Sequence, residues 1–354
     1  MKKLLAAALL ALTLALGGAA CGGDDGDDEA GTTAGTTAAE TTDELIVYSG
    51  REEELVQPLF DRFEEETGID VEVRYADSAE LAATIAEEGG NSPADVFFAQ
   101  DPGSLGAIQE QLAELPEAVL ERVDERFRDD DGRWVGTSGR ARVIVYNTDE
   151  LIEDDVPDSV FDLTDPKWQG KIGLPPTNAS FQAFVTAMRL EAGDERTREW
   201  LVDLKANDPK FYERNTPVVE AVAAGEIQVG LVNHYYLYLV KAEQGEDTPI
   251  ANKFLPGDDP GALVSVAGAG VLEGADNAAN AKRFVEFLLS DASQRFYTEE
   301  AEEAEIPLVE GIEPKEGVPS LDELADAGPD VDLSSFGEEL ERTLELLNET
   351  GYTS

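Results

Sequence analysis

Residues 69–99 read IDVEVRYADSAELAATIAEEGGNSPADVFFA, and the periodicity of this stretch decides the fold class. Val71, Val73 and Tyr75 alternate with Glu72 and Arg74, the two-residue repeat of a strand that turns one face inward. A helix is expected from near Ser78 to Gly89-Gly90, and Asp95 to Ala99 is then a short apolar strand. Working outward towards the N-terminus, Leu45 to Tyr48 is a strand that ends at Ser49-Gly50. Leu55, Leu59, Phe60 and Phe63 follow at helical spacing and stop near Gly68. Strands alternating with helices predict an α/β fold with a mainly parallel sheet covered on both faces.

The same alternation continues towards the C-terminus. Arg142 to Tyr146 (RVIVY) is a strongly apolar strand and a candidate crossing into a second lobe. Helices are expected over Phe181 to Leu190, Thr197 to Lys205 and Val218 to Ala224, and a buried strand over Ile227 to Val232. Residues 281–297 read as one amphipathic helix with Phe284, Phe287, Leu288 and Phe296 on its apolar face, and Leu333 to Leu347 as another. No internal repeat is visible. In open α/β sheets ligands bind beyond the carboxyl ends of the strands. Three such ends carry polar or phenolic groups: Tyr48-Ser49-Gly50-Arg51, Tyr146-Asn147, and Asn233-His234-Tyr235-Tyr236.

The chain opens with Lys2-Lys3 and an apolar run from Leu4 to Leu16, too short for a membrane-spanning helix and typical of a cleaved export signal. Small residues lead to Cys21, the sole cysteine, so no internal disulfide can form. Its setting resembles a lipoprotein attachment site, although Gly18 stands where that motif usually has leucine. Residues 22–42 (GGDDGDDEAGTTAGTTAAETT) have no aliphatic side chain larger than alanine and are expected to be a flexible tether. The residues beyond Leu45 are too many for one core of typical size, so two lobes are expected.

There are 26 Lys+Arg against 76 Asp+Glu, a formal net charge of −50. Nucleic acid is thereby an improbable partner, because phosphate binding needs a basic surface. The acids are spread along the chain rather than set at coordination spacing, which reads as a solvated surface suited to high salt. Asp129-Asp130-Asp131-Gly132 is expected to be a turn, since it lacks the ligand ladder of a calcium loop. No serine-nucleophile elbow, HExxH, phosphate loop or cysteine pair is present. Any triad would have to use His234, the one histidine. Residue counts leave a two-carboxylate glycosidase open, but 7% aromatic residues offer little for stacking sugars.

The run His234-Tyr235-Tyr236-Leu237-Tyr238 directly follows IQVGLVN. Its ordinary reading is that the rings pack a helix against the core and let their hydroxyls reach solvent. Adjacent tyrosines of a strand would point to opposite faces. On the first turn of a helix they lie about 100° apart and can converge on one point. Two phenolates aimed together suit a hard, highly charged cation, of which Fe³⁺ is the natural choice.

IVYSGR, VEVRYADSAELAATIAEEGGNSPADVFFAQD, GRWVGTSGRARVIVYNTD, LTDPKWQGKIGLPPTNASFQAF, VEAVAAGEIQVGLVNHYYLY and DPGALVSVAGAGVL resemble, in order, the ferric-iron-binding family of ABC-transporter substrate-binding proteins. The resemblance covers nearly the whole chain from Leu45 to about Leu347. It implies a type II periplasmic-binding-protein fold, with two α/β lobes closing over a ligand in the cleft between them. It places the paired iron-binding tyrosines at Tyr235 and Tyr236, and a third, used by some members, at Tyr146. Where many relatives have histidine after YSGR this chain has Glu52, and where some have glutamate after ADVFF it has Gln100. A tyrosine-plus-anion site is therefore expected, with Glu52 as a further carboxylate candidate beside the ordinary reading of a solvated helix-start glutamate.

The resemblance also implies a synergistic anion, carbonate or phosphate. Thr177-Asn178-Ala179-Ser180 lies at an expected helix start, where free N–H groups favour an anion. Arg140 and Arg51 could pair with it bidentately. Asn215 and Asn233 match family positions near the anion, and Arg142 shares a strand face with Arg140.

The expected organisation is a signal segment at 1–20, then a lipidated Cys21 and acidic Thr-Gly linker to 42. A discontinuous first lobe follows at 43–140 plus 262–325, with a second lobe at 141–261. A helical segment at 326–354 packs on a lobe. The expected function is an extracytoplasmic, lipid-anchored, monomeric carrier that brings ferric iron to an ABC-transporter permease. The competing readings are a binding protein for an organic anion or a polyamine, and a secreted hydrolase using His234 as its base.

Overall fold

The computed structural model describes residues 43–256, 259–301, 304–329 and 331–353. The signal segment, Cys21 and the linker lie outside these residues. Strand β1 (Glu44–Ser49) runs parallel to β2 (Asp70–Tyr75) on one side and to β3 (Val96–Ala99) on the other. The helices Glu53–Thr67 and Ser78–Glu88 make the connections. Leu55, Val56, Leu59, Phe60 and Phe63 form the buried stripe of the first helix. Phe60 stacks on Phe284 with ring centroids 5.3 Å apart, and Phe63 meets the same ring edge-on at 5.1 Å. Gly68 ends this helix at φ +72°, a left-handed value that costs glycine no Cβ clash, and its N–H donates to the Glu64 carbonyl.

β4 (Trp134–Asn147) is 14 residues long and buried throughout, more than twice the usual strand length. It is followed by β5 (Ile172–Leu174), β6 (Lys210–Phe211), β7 (Val229–Asn233), β8 (Ile250–Phe254) and β9 (Val264–Val271). The strand order is β2-β1-β3-β9-β4-β7-β5-β6, with β8 also beside β4. Trp134 to Ala141 pair antiparallel with β9, with a register shift between Gly136 and Ser138. From Arg142 onward the partners change to β7 and β8, again antiparallel. One continuous strand thus serves two sheets: β1, β2, β3 and β9 on one side, and β5 to β8 on the other. The sheet is mixed. Its outer strands are parallel as expected, and the antiparallel pairings gather where β4 and β9 run between the halves.

Two elements differ from expectation. The helix expected over 281–297 is interrupted after Leu288. Ser290 caps a new short helix (Asp291–Arg295) by accepting from the Ser293 N–H, and a wider turn of helix covers Phe296–Glu300. The apolar spacing continues across the break because both pieces pack on the same core, and spacing alone does not register the change of axis. The C-terminal helix (Phe336–Glu349) lies on the helices Ala179–Ala192 and Asp194–Ala206. Thr186 and Thr343 hydroxyls meet at 2.7 Å, Arg189 pairs with Glu339 at 2.9 Å, and Arg342 pairs with Asp194 at 2.9 Å. At its start Gly337 touches the short helix Pro102–Gly106, where a Cβ would stand 2.8 Å from the Gly103 oxygen. No helix among the described residues is long and apolar enough to cross a membrane.

Candidate metal centre

Strand direction decides what reaches the cleft. β1 and β3 are parallel, so their carboxyl ends deliver Gly50-Arg51-Glu52 and Gln100-Asp101 to the same side. β5 and β7 are parallel as well, and deliver Thr177 to Ser180 and Asn233 to Tyr236 from the other half. β4 crosses between them with Arg140 and Arg142 facing inward, as their alternation required. These groups line one cleft of about 790 Å³.

Tyr235 stands at the helix start with φ −71° and ψ −22°, and Tyr236 opens the helix Tyr236–Gln244. Both backbones are helical, so the two rings stay on one side instead of splitting across a strand. Their centroids lie 4.3 Å apart with 30° between planes. Arg142 faces the pair. Its Nη1 donates to Ser180 Oγ at 3.2 Å and to Asn233 Oδ1 at 3.0 Å, and its Nη2 donates to the Leu231 carbonyl at 2.8 Å. Burial pushes this guanidinium down to about 9, with the neighbouring Tyr236 and Tyr235 pulling it back up. It therefore stays charged at neutral pH.

The expected helix start at Thr177–Ser180 is present. Asn178 caps the helix Ala179–Ala192 by accepting from the Ser180 N–H at 3.1 Å. Asn215 Nδ2 donates to Asn178 Oδ1 at 3.0 Å and to Ser180 Oγ at 3.1 Å. Asn178, Ser180, Asn215, Asn233 and Arg142 therefore form one connected polar wall beside the tyrosine pair. Among the described residues, the buried Asn215 Oδ1, Arg142 Nε, and Arg140 Nε and Nη2 have no hydrogen-bond partner. Such buried polar atoms call for a ligand or water.

Tyr146 is not brought to this site. β4 is antiparallel to β7, so the carboxyl end of β4 points away from that of β7. Tyr146 pairs with Val229 at the start of β7 and with Ala251 of β8, while Arg142 pairs with Asn233 at the cleft. Four residues of strand place Tyr146 about 13 Å from Arg142. Burial raises its phenol above the ordinary value, Glu153 adds to the rise, and Lys253 offsets part of it. The rule that ligands sit beyond strand ends holds for parallel strands, and Tyr146 fails it for that reason.

Glu52 is exposed at the cleft rim, its side chain capping no helix N–H. Gln100 lines the cleft and has a buried Oε1 without a hydrogen-bond partner among the described residues. Tyr75 is also in the wall, but burial, then Glu53 and Asp61, push its phenol up to about 12, and its hydroxyl donates to Gln57 at 2.8 Å. His234 is fully buried. Its Nδ1 accepts from the Ala141 N–H at 3.2 Å and its Nε2 lies 2.9 Å from the Ala304 carbonyl. With both ring nitrogens committed to backbone, and burial holding it down at about 4, it cannot serve as a hydrolase base. Sequence reasoning passed over Glu305, which is fully buried between Arg51 and Arg140. Its only signal was position, as the last charge before the apolar run Ile306-Pro307-Leu308-Val309. No three His, Cys, Asp or Glu side chains among the described residues cluster as metal ligands. The many surface acids accordingly form no rival centre there.

Residues 91–320 match the family described as bacterial extracellular solute-binding protein. The chain belongs to this family. It is 37% identical to the major ferric iron-binding protein of Neisseria meningitidis serogroup B, over 75% of this chain and 81% of that protein. Iron-bound HitA from Pseudomonas aeruginosa superposes with a TM-score of 0.79 at 34% identity, covering 87% of this chain and 99% of that one. The Trichodesmium protein called IdiA or FutA, solved with iron and citrate, gives a TM-score of 0.74 at 28% identity over 88% and 100% of the two chains. The fold is thus the two-lobed α/β architecture of ferric-binding proteins. The family is one of extracytoplasmic solute binders, not of enzymes.

Proposed function

We propose that the protein captures ferric iron through the phenolates of Tyr235 and Tyr236 and carries it for uptake. The observation that carries this reading is the stacked tyrosine pair opening a helix in the cleft, faced by the charged Arg142. Two phenolates leave Fe³⁺ one positive charge and several open positions. Glu52, on the opposite half of the cleft, supplies the remaining carboxylate once the lobes close. The anion is carbonate or phosphate, held at the N-terminus of the helix Ala179–Ala192 by Asn178, Ala179 and Ser180. Arg140, Asn215 and Asn233 complete its shell, with Arg51 paired to Glu305 beneath the cleft floor. The iron-and-citrate structure supports such a wall in admitting a larger carboxylate as well. Buried Arg140 and Arg142 disfavour a polyamine.

Loading draws the lobes together by a ligand-driven population shift. The closed monomer then docks on an ABC-transporter permease, tethered to the membrane by a lipid on Cys21. Reconstitution with ferric citrate is expected to give a visible phenolate-to-iron charge-transfer band, lost in Tyr235→Phe/Tyr236→Phe. A colourless protein that binds an organic phosphate tightly would replace iron with the organic-anion reading.

A further inference from the structure

Beneath the cleft floor, three charged side chains are almost completely removed from solvent. Glu305 Oε2 lies 2.7 Å from Arg51 Nη2, and both side chains have no exposed surface. Glu305 Oε1 lies 3.4 Å from Arg140 Nε, and that arginine side chain is 4% exposed. The second contact is an ion pair without hydrogen-bond geometry: Arg140 Nε and Nη2 and Glu305 Oε1 have no hydrogen-bond partner among the described residues. Burial pushes the Glu305 carboxyl up, but Arg51 and Arg140 outweigh it and hold it below the ordinary glutamate value.

The segment carrying Glu305 is pinned to both neighbours of the site. Ile306 exchanges backbone hydrogen bonds with Gly139, next to Arg140, at 2.7 and 2.9 Å. Ala304, at φ +52°, turns its carbonyl to His234, next to Tyr235, at 2.9 Å. A left-handed alanine is uncommon, and here the surrounding contacts fix it. One carboxylate is thus held beneath Arg140 by a segment that also bonds to His234, the chain neighbour of Tyr235.

We propose that Glu305 is a positioning and specificity residue for the anion that accompanies the metal. Its carboxylate neutralises part of the arginine charge below the cleft. It holds Arg140 electrostatically while leaving donors of that guanidinium to turn to the cleft. The cleft then accepts an anion of low charge, and a more highly charged anion meets the buried carboxylate. Removing the carboxylate leaves two adjacent buried cations that a more highly charged anion would compensate. This inference rests on the proposed iron site.

The test compares bicarbonate with inorganic phosphate as the anion for iron-loaded protein, titrating each against the visible band. Glu305→Gln is expected to raise the phosphate-to-bicarbonate affinity ratio about tenfold, the order of one close charge interaction in a partly buried site. Glu305→Asp, which keeps the charge, is expected to retain the wild-type ratio. If Glu305→Gln does not fold, Arg51→Gln leaves the Glu305 carboxylate facing Arg140 alone and removes one buried cation. The opposite shift, a lower phosphate-to-bicarbonate ratio, is then expected. A ratio within twofold of wild type in whichever of Glu305→Gln and Arg51→Gln folds would overturn the inference and leave Glu305 a purely structural ion. A wild-type protein without a visible band would instead sink the iron site itself.

Discussion

Two phenolates and a ferric ion concentrate charge at one point, and the residues around Tyr235 and Tyr236 are arranged to bear it. Arg142 faces the pair, and its three hydrogen bonds hold it against rotation. Tyr146 offers the contrasting case, a phenol on the far side of β4 among Glu153 and Lys253. Tyr146→Phe is expected to leave the charge-transfer band and the iron affinity within twofold of wild type. A visible titration of the variant checks this. Loss of the band would return Tyr146 to the metal shell. The Asn178–Ser180 helix start was legible as a local motif after a strand end, and the tyrosine pair through the chain-long resemblance rather than its spacing alone. Tyr146 was misplaced and Glu305 missed because their roles depend on strand direction and on long-range burial. A residue's immediate neighbours carry neither.

At the scale of elements, β4 and the C-terminal helix carry the most consequence. β4 was legible only from Arg142 to Tyr146, where it is apolar. Its earlier half, Trp134 to Ala141, is rich in glycine and hydroxyl side chains, and tertiary pairing with β9 makes it a strand. The C-terminal helix approaches the helix Pro102–Gly106 closely at Gly103, Gly106 and Gly337. Gly337→Ala would set a Cβ 2.8 Å from the Ala107 nitrogen and the Gly103 oxygen. Overpacking against backbone is expected to cost about 1–3 kcal/mol, measurable as a lower midpoint in urea. An unchanged midpoint would show that the helix start yields freely.

The same helix is held at its middle by Asp194, which pairs with Arg342 at 2.9 Å. Burial raises this carboxyl, but Arg342 and Arg189 outweigh that and hold it below the ordinary aspartate value. A carboxylate depressed in the folded state stabilises above its unfolded pKa of about 4, and the benefit disappears as pH falls through the folded value. Amide exchange in residues 336–349 is therefore expected to quicken below about pH 4, relative to the β1–β3 sheet. Exchange that stays uniform across the two would contradict the role given to Asp194.

For the whole molecule, the net charge of −50 is spread over a surface with few compensating cations. Self-repulsion at that density opposes the compact state, and salt screens it within roughly 10 Å at 0.1 M. The thermal midpoint of the iron-free protein is expected to rise from low salt to about 1 M KCl, where screening shortens to about 3 Å. A falling midpoint would mean that surface ion pairs such as Arg198–Glu349, at 2.6 Å, outweigh the repulsion.

A crystal structure of the iron-loaded protein shows where the metal sits. Data collected at the iron absorption edge locate the ion independently of any assumed ligand. A single anomalous peak is expected in the cleft, bonded to the hydroxyl oxygens of Tyr235 and Tyr236, with an anion against Asn178–Ser180. A peak at Tyr146, or among surface carboxylates with the tyrosine pair unliganded, would contradict the proposed site.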